Sequence, residues 1–289
     1  MNETLVSVVL GIVEGLTEFL PVSSTAHLRI AEALFRLDLH DGFWKMYTIV
    51  IQLGAVLCLP LYFRSRLAAF LARRQGPWTS HPLTLILVAF FVTAVPAFLL
   101  SKIIGKNLES LYIMGSALLV GGIVMWAVDA WKAPSEKRGP GAPESTIKTW
   151  SMETITLRQA IVIGACQILS ALFPGTSRSM STIAGGQVAG LSRAAALEFS
   201  FFLSIPTMVA ATGYDLLKTL LGKHGEAAPV VMDAHRWVVL GVGFGVSFAV
   251  AYGSVAALMA WVRTRGFVPF AVYRIVAGLA VLAWAMSRP

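Results

Sequence analysis

The sequence predicts an all-α integral membrane protein built as an inverted-topology repeat, with about six transmembrane helices plus two re-entrant helix-turn-helix hairpins. Three observations carry that prediction. Of 289 residues, 56% are hydrophobic and 13% charged, and mean hydropathy is +0.73, too apolar and too sparsely charged for a water-soluble domain. Two apolar segments are interrupted midway by proline and hydroxyl residues, and these two segments match each other without a gap. A β-barrel needs short alternating segments, which the sequence lacks.

Residues 4–37 read as a span until a polar cluster and Pro21 break them. Neither arm covers about 30 Å of hydrocarbon, which takes roughly 20 residues, so the segment is expected to enter and leave on one side. The first thirty residues hold no lysine or arginine before Arg29, unlike the basic start of a cleaved leader, and are expected to belong to the mature fold. Spans are expected at about 46–63, 83–100 and 112–129. Residues 132–156, with Pro, Gly, Glu and Lys concentrated before Trp150, are expected to form an exposed cytoplasmic linker. A second interrupted segment at about 157–192 precedes expected spans at about 197–217, 238–261 and 268–286.

The halves, 1–131 and 157–289, thus have the same order of parts. Placing Gly11–Ser24 over Gly164–Ser177, an offset of 153, superposes Gly, Leu16/Leu169, Pro21/Pro174 and Ser. It sets Glu14 against Gln167 and Thr17 against Ser170. One hairpin and three crossings per half is an odd number of crossings, so the second half runs upside down and the broken helices meet near the bilayer midplane.

Eleven loop lysines and arginines between Arg64 and Arg265 fall on one side of this topology. Six, Lys102, Lys106, Lys218, Lys223, Arg236 and Arg288, fall on the other, which makes the first side cytoplasmic. Both termini and the first hairpin then face outward. The net charge of +8 belongs to these loops and to anionic lipid. No nucleic-acid partner is expected, because no basic block alternates with exposed aromatics. Cys58 and Cys166 lie in apolar runs without metal-ligand spacing and read as packing residues.

The polar groups concentrate in the two interruptions, and ionisable groups at membrane depth mark functional sites. Glu14 and Glu18, four apart, share a helix face. Such a pair suits a hard divalent cation, Mg²⁺ or Ca²⁺, or a proton carrier. A solvated face is the plain alternative, and Ile12, Val13, Leu16, Phe19 and Leu20 leave little room for it. After Pro21 come Ser23, Ser24, Thr25 and His27, where a serine and a histidine offer a nucleophile and its base. The second interruption reads Pro174-Gly175-Thr176-Ser177-Arg178-Ser179. A glycine turn before hydroxyls and a helix start presents N–H donors to an anion, and Arg178 adds a planar cation matched to phosphate. Gln52 lines the same cavity or bonds a neighbouring helix. Arg193 and Glu198 read as interfacial or structural, while Asp129, Asp215 and Arg274 receive no role.

Glu14-Gly-Leu-Thr-Glu18-Phe-Leu-Pro-Val-Ser-Ser-Thr25-Ala-His27, paired with Pro174-Gly-Thr-Ser-Arg-Ser179, Ile51-Gln-Leu-Gly54 and Phe267-Val-Pro-Phe-Ala-Val-Tyr-Arg274, resembles the undecaprenyl-diphosphate phosphatases of the bacitracin-resistance (BacA/UppP) family. The resemblance runs over nearly the whole chain. It implies a hydrolase of the bacterial inner membrane that converts undecaprenyl diphosphate to undecaprenyl phosphate and inorganic phosphate. That reaction recycles the lipid carrier for peptidoglycan synthesis, and its excess is associated with bacitracin resistance. The resemblance further implies Mg²⁺ or Ca²⁺ and a site opening to the periplasm, with functional positions at Glu14, Glu18, Ser24, Thr25, His27, Ser177 and Arg178. Catalysis is then expected from Glu14, Glu18, Ser24, His27 and Arg178, by attack either of Ser24 with His27 as base or of water activated by His27 or a glutamate, with the metal on Glu14 and Glu18. Phosphate contacts are expected from Ser23, Thr25, Gly175, Thr176, Ser177, Arg178, Ser179 and Gln52. Two positions depart from the family pattern: Met180 and Ala26 stand where glycine is frequent. Architecture alone favours a transporter or flippase of polyprenyl phosphates, since carboxylates with a histidine suit proton coupling; the motifs favour the phosphatase. Both a monomer and a homodimer are compatible with the sequence.

Overall fold

The computed structural model describes residues 2–37, 42–73, 77–100, 110–220 and 232–287. Among them the regular structure is helical apart from one isolated bridge, Thr149 to Leu191. Six helices have the length and hydropathy to cross a bilayer: α3 (Gly42–Tyr62), α5 (Pro82–Leu99), α6 (Leu111–Arg138), α9 (Arg193–Leu220), α10 (Ala234–Val262) and α11 (Val268–Ser287). They coincide with the six expected spans, and the chain is a multi-pass membrane protein. The two interrupted segments form shorter pairs, α1 (Glu3–Thr17) with α2 (Ser24–Leu34), and α7 (Leu157–Leu172) with α8 (Arg178–Val188). At 15, 11, 16 and 11 residues, each falls short of the roughly 20 that a crossing takes. One element was not anticipated, α4 (Arg64–Ala72), a short helix following Phe63.

Helix starts are written locally. The Asn2 side chain accepts from Thr4 N and Leu5 N ahead of α1. Thr156 and Gln159 form a reciprocal capping box at α7. Asp233 accepts from Arg236 N at 2.7 Å to open α10.

The halves interlock through exchanged packing. α1 lies on α10, where a Cβ on Gly11 or Gly15 would come within 2.8 Å of Gly243 O or 2.7 Å of Ser247 O. Reciprocally, α7 lies on α5, and a Cβ on Gly164 would come within 2.5 Å of Ala89 O. The first helix of each short pair therefore packs on a long helix from the other end of the chain, with small residues allowing backbone approach. The remaining long helices pair as α3 with α10, α9 with α5, α3 with α9 and α6 with α11.

α1 and α7 begin at opposite ends of the bundle. At one end Glu3 meets His235 at 3.2 Å. At the other, Arg66 pairs with Glu198 and Glu153, and Arg193 holds Asp129 through two bonds of 2.7 and 2.9 Å. Arg64 and Arg66 on α4, Lys137 and Arg138 at the end of α6, Arg158 at the start of α7, and Arg263 and Arg265 just past α10 belong to the larger basic set. Arg74, Lys102, Lys106, Lys223 and Arg288 lie outside the described residues, as does the side chain of Lys218.

Two local expectations change. The stretch at 132–156 is not a free exposed linker: α6 continues to Arg138, and Lys132, Ser135, Ile147, Thr149, Met152 and Ile155 are buried. The segment folds back because Gly190 O accepts from Lys148 N and Thr149 N, and Thr149 O accepts from Ser192 N, so its backbone is satisfied against the turn after α8. The gapless register also slips at the turns. Ser23 and Ser177 are the residues that precede α2 and α8, both in left-handed backbone at φ 77° and 69°, an offset of 154 rather than 153. The second turn holds one more residue after its proline, and Gly175, at φ 93°, supplies the conformation and the close approach to Met114 O, 2.5 Å from where a Cβ would stand.

Candidate active site

Where the two turns meet, Glu18 is the junction. It sits just past the last residue of α1, 6% exposed, with the wholly buried Phe19 after it packed edge-on against Phe201 at 5.4 Å. Arg178, the first residue of α8, donates from Nη2 to Glu18 Oε1 at 2.8 Å. Ser24, the first residue of α2, donates from Oγ to Glu18 Oε2 at 2.6 Å. Ser179 Oγ donates to the backbone carbonyl of Glu18 at 3.2 Å. One carboxylate thus ties the hydroxyl of its own turn to the guanidinium of the other.

Glu14, one helical turn earlier, is fully buried and faces Glu18. Neither of its carboxyl oxygens has a hydrogen-bond donor among the described residues. Two acids against one arginine call for a shared proton or a bound cation, because burial makes an uncompensated charge expensive. A hard divalent cation fits this donor set, two carboxylates beside a hydroxyl with two orphaned oxygens.

The expected Ser24–His27 pair does not form. Ser23 O can only accept, so at 2.7 Å the His27 Nδ1 carries the proton. Nε2 of the neutral ring then accepts from Tyr273 OH at 2.5 Å, and the two rings stack. The Ser24 proton points to Glu18 instead.

In the second turn, Gly175 and Thr176 are buried, and the Ser177 side chain accepts from Met180 N, capping α8 rather than standing free. Thr25 is exposed and Gln52 half-buried on α3, and no hydrogen bond joins either to the cluster among the described residues.

Among the residues that sequence reasoning left without a role, Arg274, on α11, reaches the site. Wholly buried, it donates from Nη1 to Pro21 O at 3.2 Å. From Nη2 it reaches Gly175 O at 3.0 Å, Thr176 O at 2.9 Å and Ala117 O at 3.2 Å. It bolts the two turns together through their carbonyls. Its signals in the sequence were a lone arginine inside an apolar run and, shared with Tyr273, a place in the Phe267–Arg274 motif, neither of which named a role.

Fold and site together define a class: a multi-pass helical membrane protein whose polar centre is assembled from two broken helices and holds acids, a hydroxyl and an arginine. The chain belongs to the bacitracin resistance protein BacA family, whose family model matches residues 7–280. An undecaprenyl-diphosphatase of Koribacter versatilis is 64% identical over 297 residues, covering 100% of both chains. Proteins of the same name from Novosphingobium aromaticivorans, 40% identical over 294 residues and 100% of both chains, and from Sorangium cellulosum, 42% identical over 281 residues, 96% of this chain and 84% of the relative, are also similar.

Proposed function

We propose that the protein hydrolyses undecaprenyl diphosphate to undecaprenyl phosphate and inorganic phosphate. The observation that carries this reading is the Glu18 carboxylate bonded at once to Ser24 and Arg178. It joins a proton acceptor, a nucleophile and a phosphate-matched cation in one buried centre. The names of the relatives support the substrate, and they give no support to a transporter.

Phosphoryl transfer asks mainly for positioning and for stabilisation of charge on the transferred group. Arg178 exchanges part of its bond with Glu18 for the phosphoryl oxygens, with N–H groups at the start of α8 beside it. Ser24 Oγ attacks the terminal phosphorus and its proton passes to Glu18, while the bond from phosphorus to the bridging oxygen breaks and undecaprenyl phosphate leaves. Water then attacks the phosphoserine, and inorganic phosphate departs as the serine oxygen recovers the proton. Glu14 and Glu18 are the residues that would hold Mg²⁺ or Ca²⁺. When bound, such an ion neutralises the paired acids and polarises phosphoryl oxygen.

Short helix pairs whose first helices begin at opposite ends support a re-entrant, inverted arrangement of the two halves. The basic end at Arg66 and Arg158 then faces the cytoplasm of a bacterial inner membrane, and the α1/α2 side opens to the periplasm. Purified protein in detergent is expected to release phosphate from undecaprenyl diphosphate, to lose that activity in EDTA, and to trap phosphate on Ser24 when quenched during turnover. Release by Ser24→Ala at the unmodified rate overturns the serine route, and no release by the unmodified protein overturns the function.

A further inference from the structure

Beside the second turn runs a cavity of about 650 Å³, bounded by α6, α7 and α8. That volume lies within the roughly 300–1,000 Å³ of small-molecule sites. Along α6 it extends from Tyr112 to Val128, about 24 Å of helix at 1.5 Å per residue. Its polar groups gather at one end: Thr176 and Ser181, which flank Arg178 in the chain, and Ser116, two residues from the Met114 carbonyl that abuts Gly175. Away from that end the walls are aliphatic, and the Cys166 side chain, which lines the channel, packs against Gly185, where a Cβ would stand 2.8 Å from its Sγ.

We infer that this groove holds the first isoprene units of the polyprenyl tail, with its polar end at the phosphate-binding turn and its apolar end leading away through the membrane. The inference rests on the proposed phosphatase reading and adds where the lipid lies. A headgroup bound at Arg178 places its attached chain next to Thr176 and Ser181, and the groove is the apolar path that begins at those residues. Burying the chain there removes apolar surface from competition with bulk lipid and fixes the phosphorus relative to Ser24, which is the use that remote binding has in catalysis. Met180 buries its side chain between Gly121 and the groove, so at this position the chain narrows the wall near the headgroup.

The test compares a long and a short substrate. Val124 lines the groove and is 43% exposed, so a tryptophan there fills the channel without displacing core residues. Ile123, 53% exposed on the same helix but outside the groove, is the control. In detergent-purified full-length protein, Val124→Trp is expected to raise KM for undecaprenyl diphosphate at least tenfold while leaving geranyl diphosphate, too short to reach it, unchanged. Ile123→Trp is expected to change neither. Equal effects of Val124→Trp on both substrates, or none on either, overturn the inference. A second readout is independent of hydrolysis: with Cys58 replaced by alanine, undecaprenyl phosphate is expected to slow alkylation of Cys166 by a lipid-soluble maleimide, and geranyl phosphate is not. Equal protection by a dioleoyl phosphatidic acid assigns the groove to bulk lipid and overturns it. Absence of phosphate release with Cys166 still protected separates a failed phosphatase reading from a failed groove.

Discussion

The first turn and the second turn both lead into a helix from a serine in left-handed backbone, yet they hold opposite charge. Glu14 and Glu18 precede Ser23, whereas Gln167 and Ala171 occupy the matching places before Ser177, and Arg178 follows it. Gln167 is nearly as buried as Glu14, 1% against fully buried, and its amide donates to Thr207 at 3.2 Å. Its amide oxygen has no donor among the described residues, but a neutral group left so costs far less than an unpaired charge. A carboxylate needs a counter-charge, and the counter-charge comes from the other turn. The two turns thus share a backbone geometry, and the charge on each makes sense only across the interface between them.

The sharpest way to break this contrast is Glu18→Ala, which removes the acceptor of Ser24 and the partner of Arg178 together. Phosphate release is expected to fall by about 10³-fold or more, given that one preorganised donor alone is worth about 10²–10³. Arg178→Ala comes next, with kcat lower by about 10²–10³-fold and only partial recovery in Arg178→Lys, which lacks the planar fork. Arg274→Ala tests the bolt between the turns. Leaving the carbonyls of Pro21, Gly175 and Thr176 without their donor is expected to lower the unfolding temperature in detergent, at about 1–3 kcal/mol per unsatisfied buried group. Gln167→Ala is the smallest effect: phosphate release within about threefold of the unmodified protein, because the second copy of that position touches no reacting group.

Much of the fold was legible because membrane spans declare themselves in composition. Five of the six long helices fall within four residues of where hydropathy puts them, α6 runs nine residues further to Arg138, and Pro21 and Pro174 mark both turns. Hidden from the sequence was whatever depends on contacts between distant helices. The one-residue slip at the second turn arises from Gly175 packing on Met114, which a gapless match does not register. His27 looked like the base for Ser24 because they are three residues apart, but Tyr273, 246 positions along the chain, takes its free nitrogen. Polar residues after Lys132 looked like an exposed linker, and their backbone instead finds partners at Gly190 and Ser192. Charge complementarity between Glu18 and Arg178 was readable as a need for a partner, since an arginine at that depth cannot stand alone; Arg274 met the same need with carbonyls, and no pattern in the sequence distinguishes the two solutions.

The central claim, that the two turns act as one catalytic unit, is tested most directly by a double-mutant cycle on phosphate release from undecaprenyl diphosphate with Ser24→Ala and Arg178→Ala. Residues that serve one step are strongly non-additive. The account predicts that the double variant is no slower than the slower single variant. Losses that multiply would mean two independent contributions, and would contradict it.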